Sequence, residues 1–225
     1  MDVNKMQVVQ RQAARVMEAL RKNRMQAYYV DRTDDVPAQV AALLREGDRV
    51  AVGGSMTLFE TGVINLLRTG SYHFLDRTLP GLTAEGVRRI QLESFGADVY
   101  LTSVNAITEA GELYFVDGNG NRAAAVLFGP ERVILVAGAN KIVSDLDAAV
   151  RRVKNTAAPA NALRLDCDTH CRHTGRCAAL EHKAGAGMTD GCGSADRICC
   201  DYVVLGRQRS PGRITVVLVG EAIGY

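Results

Sequence analysis

Along residues 3–24, Met6, Val9, Ala13, Val16, Met17 and Leu20 recur at three- and four-residue spacing, which predicts an amphipathic helix. Beyond it, short apolar runs alternate with helical patterns. "QAYYV" predicts a strand and residues 34–45 a helix ending at Gly47; "RVAVGG" predicts a buried strand and residues 58–68 a helix closed by Gly70. "YHFLD" is a third strand, followed by a helix over residues 84–95 and a fourth strand at "DVYLTS". Such alternation marks βαβ units and a mainly parallel sheet with helices on its faces, the α/β class. The stretch "NAITEAGELYFVDGNGN" departs from it, because two β-prone runs flank residues 109–112 and predict a hairpin added to that sheet. A helix over residues 123–128, the strand "RVILVAG" and a helix from residue 145 to about 156 follow, the last ended by "AAP". "DYVVLG" and "RITVVLVGE" supply late strands.

With 225 residues, 47% hydrophobic and 23% charged, the chain can bury a substantial core. No apolar run is long enough to predict a membrane span. The first residues are charged throughout and lack an apolar h-region, so no secretory signal is expected and a cytoplasmic location is. A formal charge of +2, with no basic stripe interleaved with aromatics, argues neither for nor against nucleic acid, and no nucleic-acid partner is expected. The N-terminal helix sets six basic side chains against Asp2 and Glu18. Packing on its own domain or on a sister subunit is the simpler expectation, a membrane surface or a partner protein the alternative.

Three loops carry candidate chemistry. After "RVAV", Gly53, Gly54 and Ser55 lead into a helix, aiming backbone N–H groups and the positive end of a helix dipole at the space above the sheet. A phosphate or carboxylate is favoured there. Thr57 and Glu60 have capping-box spacing, so the loop could serve the turn alone. The chain shows neither the lysine of a P-loop nor a G-x-G-x-x-G fingerprint, so no nucleotide cofactor is indicated. "FVDGNGNR" sets Asp117, Asn119, Asn121 and Arg122 around two glycines, and its plainest reading is a tight turn with Asn119 or Asn121 as helix cap. "VAGANKIVSDLD" has a second capping-box spacing at Ser144 and Asp147, with Asn140 and Lys141 in the connecting loop. Loops that follow parallel strands meet at the carboxyl edge of the sheet, where α/β folds bind ligands.

The stretches "GGSMTLFETGV…LLRTGSYHFLDR", "DVYLTSVNAIT", "GELYFVDGNGNR", "VILVAGANKIV" and "RICCDYVVL…RITVVLVGEAIGY" resemble the lactate-utilization (LUD) domain family over roughly residues 22–225. The most similar pattern is that of lactate utilization protein C-type members with a C-terminal cysteine segment. The resemblance implies a Rossmann-like α/β/α sandwich of the ribose-phosphate isomerase, glucosamine-phosphate deaminase and CoA transferase type. It divides the chain into an N-terminal helix over residues 1–24 and a LUD-type domain over 25–225, which includes a cysteine-rich flap over 167–200. Those folds bind phosphorylated sugars or acyl-CoA at strand ends. By that analogy a small anionic ligand would sit at Gly53, Gly54, Ser55, Thr57, Asn105, Asn119, Asn121 and Lys141. The family also implies a link to lactate or organic-acid oxidation, with iron–sulfur subunits carrying the electrons.

All six cysteines and three of the four histidines fall between Cys167 and Cys200. Core thiols scattered for packing do not crowd in this way. The spacing is neither the paired C-x2-C of a zinc ribbon nor a ferredoxin run. The family pattern is a compact C-x5-C-x2-C-x6-C, which Cys171, Cys177, Cys192 and Cys199 match in order, with "AALEHKAGAGMT" inserted between the second and third. The resemblance thus implies a four-thiolate site for zinc or an iron–sulfur cluster. His170, His173, Cys167 or Cys200 could replace one ligand, and free thiols or a redox-active disulfide are the alternatives.

The expected function is that of a lactate-utilization-type protein binding a small anionic metabolite. As an enzyme it would use Asp117 or Glu60 as general base, with the Gly53 and Gly54 amides and Lys141 stabilising negative charge. Two other classes stay open: a non-catalytic scaffold subunit of a redox complex whose metal is structural, and a transferase or isomerase acting on a phosphosugar or CoA ester. Redox-complex subunits and a second copy of the chain are the protein partners these readings allow.

Overall fold

A computed structural model describes residues 2–183 and 185–225; Met1, at the head of the N-terminal segment, and Ala184, inside the cysteine-segment insert, lie outside the described residues. Six strands form a wholly parallel sheet: β1 (Gln26–Val30), β2 (Arg49–Val52), β3 (His73–Leu75), β4 (Val99–Thr102), β7 (Arg132–Gly138) and β10 (Ile214–Val219). Their order is β1-β10-β7-β4-β2-β3. Every residue of β10 is buried, and so is every residue of β7 after Arg132. A parallel strand covered on both faces must be apolar at each position, which is why "RITVVLVGE" and "RVILVAG" show no alternation.

Helices α2 (Val36–Ala41), α3 (Met56–Glu60) and α4 (Val63–Thr69) cover one face, packing Val36, Leu58, Val63 and Leu67 on Val50, Leu101, Val136 and Val219. The opposite face is covered by α1 (Val3–Lys22), by α6 (Asn121–Leu127) and by a second, smaller sheet. Ala13, Val16 and Leu20 bury the apolar stripe of α1 in that core. Gly111, at φ 80, lets the chain approach α1 so closely that a Cβ there would lie 2.8 Å from Ala19 C and Leu20 N. No described helix is long and apolar enough to cross a membrane.

The second sheet changes the expected topology. The predicted hairpin forms as β5 (Ala106–Thr108) antiparallel to β6 (Leu113–Asp117), but it does not extend the main sheet. Instead β8 (Ile142–Val143) pairs with β5 and β9 (Asp201–Leu205) with β6, giving the order β8-β5-β6-β9. Period-2 geometry explains why β6 reads as continuously apolar: Leu113 and Phe115 face the main sheet, whereas Tyr114 and Val116 face α7 (Leu146–Arg152).

Several local expectations shift. The helix expected over 34–45 is a 3-10 turn (Thr33–Asp35) followed by the short α2. The one expected over 58–68 is two helices, because Gly62 adopts a left-handed φ of 71 between α3 and α4. The helix over 84–95 is α5 (Ala84–Glu93) closed by a 3-10 turn. The helix expected to stop at "AAP" continues: α7 runs through a π-helical turn (Val153–Ala157) into α8 (Ala158–Leu165). Pro159 sits in the first turn of α8, directly after the π-helical turn. Neither capping box forms. Asp145 rather than Ser144 caps α7, accepting from Ala148 N at 2.7 Å. At α6 the N-cap is Gly120, and Asp117 rather than Asn119 or Asn121 accepts a first-turn amide, Ala123 N at 2.7 Å. The cysteine segment carries two one-turn helices, α9 (His170–Thr174) and α10 (Ala178–His182).

Candidate functional site

Because β2, β4 and β7 run parallel, the loops after them emerge on one edge, and the turn after β6 joins them there. They enclose a cavity of about 280 Å³ whose wall includes Gly54, Ser55, Thr57, Asn105, Asp117, Asn119, Asn121 and Lys141. The three loops singled out in the sequence therefore meet.

Gly53 is not on that wall. A Cβ on it would lie 2.5 Å from Thr102 Oγ1 and 2.9 Å from Tyr100 OH, so this glycine serves close packing against β4. Glu60 is not on the wall either; its Oε2 accepts the Gly224 amide at 2.7 Å. With Asn140, which donates to Gly224 O at 3.0 Å and accepts from Ile223 N at 3.2 Å, it holds the C-terminal residues over the cavity.

Lys141 is the centre of the site. Its side chain is 1% exposed, and Nζ donates to Ser103 Oγ at 2.8 Å and to Thr57 Oγ1 at 3.0 Å. Burial, reinforced by the positive charges of Arg152 and Arg122 and opposed by Glu60, pushes its pKa down to about 7. Among the described residues no carboxylate forms an ion pair with this amine. Thr57, expected to cap a helix, is thus drawn off to the lysine.

The neighbouring charges divide into committed and free. Arg122 donates Nε to Asp117 Oδ1 at 2.8 Å, Nη2 to Asn105 Oδ1 at 2.6 Å and to Val116 O at 2.9 Å, and Nη1 to Ser103 O at 3.2 Å. Asp117 spends its second oxygen on Ala123 N. Both oxygens of that carboxylate are therefore engaged, an arrangement that braces the turn. Arg152 donates to Asn140 O at 2.9 Å and Asn105 O at 2.7 Å, and burial pushes its pKa down to about 10, still charged at neutral pH. Arg77 and Arg164 also line the cavity without a carboxylate partner among the described residues. Ser55 Oγ is shielded from solvent and has no hydrogen-bond partner there.

Sequence reasoning missed Arg77, Arg152 and Arg164. Arg77 follows the β3 run just as the other site loops follow theirs, so the same rule would have found it. Arg164 lies on α8, beyond the proline at which the helix was expected to stop.

A second, smaller cavity brings Cys171, Cys177, Cys192 and Cys199 together, walled by Val150, Val153 and Tyr114. Cys167 and Cys200 lie outside it, and His173 pairs with Asp168 at 2.7 Å. Lys154, 5% exposed, also lines it and donates to the Asp190 carbonyl. Among the described residues, the four thiols contain no trio within 4.8 Å of one another, whereas tetrahedral zinc–thiolate bonds set sulfurs ~3.8 Å apart. The two cavities share a wall: Val153, Ala158 and Cys199 line both, and the π-helical turn lies between them. Such turns recur at functional sites because the extra residue re-aims the side chains that follow it.

The family model of the LUD domain matches residues 13–219. No curated protein matches the chain in sequence. Among solved structures, the fold resembles the crystal structure of a DUF162 family protein from Deinococcus radiodurans, with a TM-score of 0.50, 17% identity, and coverage of 95% of this chain and 97% of that one. A looser likeness, to eIF2B beta from Chaetomium thermophilum, has a TM-score of 0.34 at 16% identity and covers 50% of this chain and 43% of that one. At these identities the first shows the fold alone, and the second carries no argument.

Proposed function

The chain belongs to the LUD domain family, and on that premise we propose that it is a lactate-utilization-type redox protein, binding a small organic acid beside an iron–sulfur cluster. The acid's carboxylate would sit against Lys141, Arg77 and Arg164. Cys171, Cys177, Cys192 and Cys199 would hold the cluster, which supplies one-electron transfer when bound. The observation that supports the reading is the wall shared through Cys199, which lines both cavities, so a cluster held there would lie at the edge of the acid site proposed here.

The chain's own groups fit the two charges involved. A cluster on four thiolates is anionic, and Lys154 supplies a buried positive charge on that wall without a carboxylate partner among the described residues. Lys141 does the same for the acid. With a pKa of about 7 it can hold a proton while an anion is bound and give it to a bound substrate's oxygen or to water, which makes it better suited to move a proton than Asp117 or Glu60.

The test is metal and labile-sulfide analysis of protein purified without oxygen, followed by electron paramagnetic resonance with and without L-lactate or pyruvate. Iron and sulfide together with a ligand-shifted signal support the reading. Stoichiometric zinc without iron would replace it by the scaffold alternative. A phosphosugar or CoA ester is the second reading, favoured by Arg77 and Arg164, which have no carboxylate partner among the described residues; thermal-shift screening of phosphate esters against 2-hydroxy and 2-oxo acids separates the two.

A further inference from the structure

Outside both cavities, the short helices of the cysteine segment bring together three side chains that neither site uses. His170 Nε2 lies 2.5 Å from Glu181 Oε2, and His182 Nε2 lies 4.0 Å from the same oxygen. The two imidazole rings meet edge to face with centroids 5.8 Å apart. Among the described residues, no other three His, Cys, Asp or Glu ligand atoms lie within 4.8 Å of one another.

We propose that His170, Glu181 and His182 form a second metal site, for one divalent ion of the zinc class, distinct from the thiolate site. Tetrahedral bonds of about 2.0–2.1 Å to nitrogen and oxygen separate donor atoms by roughly 3.4 Å, a value bracketed by the separations here. Two imidazoles and one carboxylate are borderline donors that select zinc, cobalt or nickel over calcium and magnesium. His170 and His182 line a cleft shared with Asp190 and Ser194, so water can complete the coordination. Asp190 has no ligand atom within 4.8 Å of all three, and its Oδ2 accepts from Lys183 Nζ at 2.8 Å and Gly187 N at 2.7 Å.

Binding there has a structural consequence. Helices α9 and α10 have five residues each, too few to persist without support. An ion bridging His170 on α9 to Glu181 and His182 on α10 would tie them together. That bridge braces the segment carrying Cys171 and Cys177, and Cys192 and Ala178 line both the cleft and the thiol cavity. The ion is therefore a clamp beside the thiolate site and independent of what that site holds.

Cobalt(II) titration of the full-length protein in oxygen-free buffer tests this. The expected result is one equivalent bound with visible d–d bands and no thiolate-to-cobalt charge transfer, displaced by zinc. The signal should persist in a Cys171→Ser/Cys199→Ser double variant. Because the His182 side chain is 71% exposed, His182→Ala leaves the packing intact. That variant and Glu181→Gln should each weaken binding by more than the ten- to hundredfold typical of losing a supporting group around a metal. A cobalt signal with thiolate charge transfer that the double cysteine variant abolishes would overturn the proposal. So would one unchanged in His182→Ala, or no binding above the buffer blank.

Discussion

Lys141 Nζ donates to Ser103 Oγ at 2.8 Å, joining residues that the chain separates by 38 positions. The bond crosses from the loop after β7 to the end of β4, neighbouring strands of the main sheet. It places an amine with no ion-pair partner among the described residues on the wall of the cavity at the strand ends.

The lysine's charge makes stability depend on pH. In the unfolded chain its pKa is the ordinary 10.5, and in the fold it is about 7, so between these values the unfolded chain holds the proton more tightly. Stability contributed by this group therefore rises with pH across that window, and the cost of charging the buried amine is greatest below it. Lys141→Met should raise the melting temperature most at pH 6, with the gain shrinking toward pH 10. A gain independent of pH, read by differential scanning fluorimetry, would contradict this.

Anion binding should follow the same titration with the opposite benefit. A carboxylate prefers the protonated amine, so its affinity should fall as pH rises through about 7 and the protein should take up a proton on binding. Isothermal titration in buffers of different ionisation enthalpy reads that proton directly. In Lys141→Met the proton linkage should vanish.

The thiols divide into two groups with different expected outcomes. Cys171→Ser or Cys192→Ser should abolish iron and labile sulfide in anaerobic preparations. Cys167→Ser and Cys200→Ser, outside the small cavity, should retain both.

Asp117 is expected to matter for folding. Its side chain is 7% exposed and that of Arg122 11%. Breaking such a pair strands a buried charge, so Asp117→Asn should cost about 3 kcal/mol, a fall on the order of 10 °C in Tm. A variant with unchanged melting temperature but lost turnover would restore it as a general base.

The two glycines after β2 should respond differently to a methyl group. Gly53→Ala pushes a Cβ to within 2.5 Å of Thr102 Oγ1, which should destabilise by about 1–3 kcal/mol. At Gly54 the nearest atom, Arg77 Nη1, is 3.7 Å away, so Gly54→Ala should melt near the parent temperature. Chemical denaturation curves of the pair check the contrast.

Much of this architecture is readable along the chain, because burial leaves a periodic trace. The six strands of the main sheet, the stripe of Ala13, Val16 and Leu20 on α1, and the crowding of four cysteines all follow from the order of residue types. So does the convergence of the loops containing Gly54 and Lys141, since parallel strands must end on the same edge, whereas the Asn119 loop follows β6 and is brought there by the packing of the second sheet. Breaks set by one backbone angle are less visible: Gly62 reads as a helix interior until its left-handed φ is seen, and Pro159 reads as a stop until the π-helical turn before it provides a place for it.

Local spacing specified which side chains could cap, pair or ligate, because those options depend only on residue type and separation. Which option each side chain takes was decided by distant partners: Thr57 goes to Lys141 and Glu60 to Gly224. A hydrogen-bonding group has a fixed number of bonds to give, and only the packed fold brings its best partner within reach.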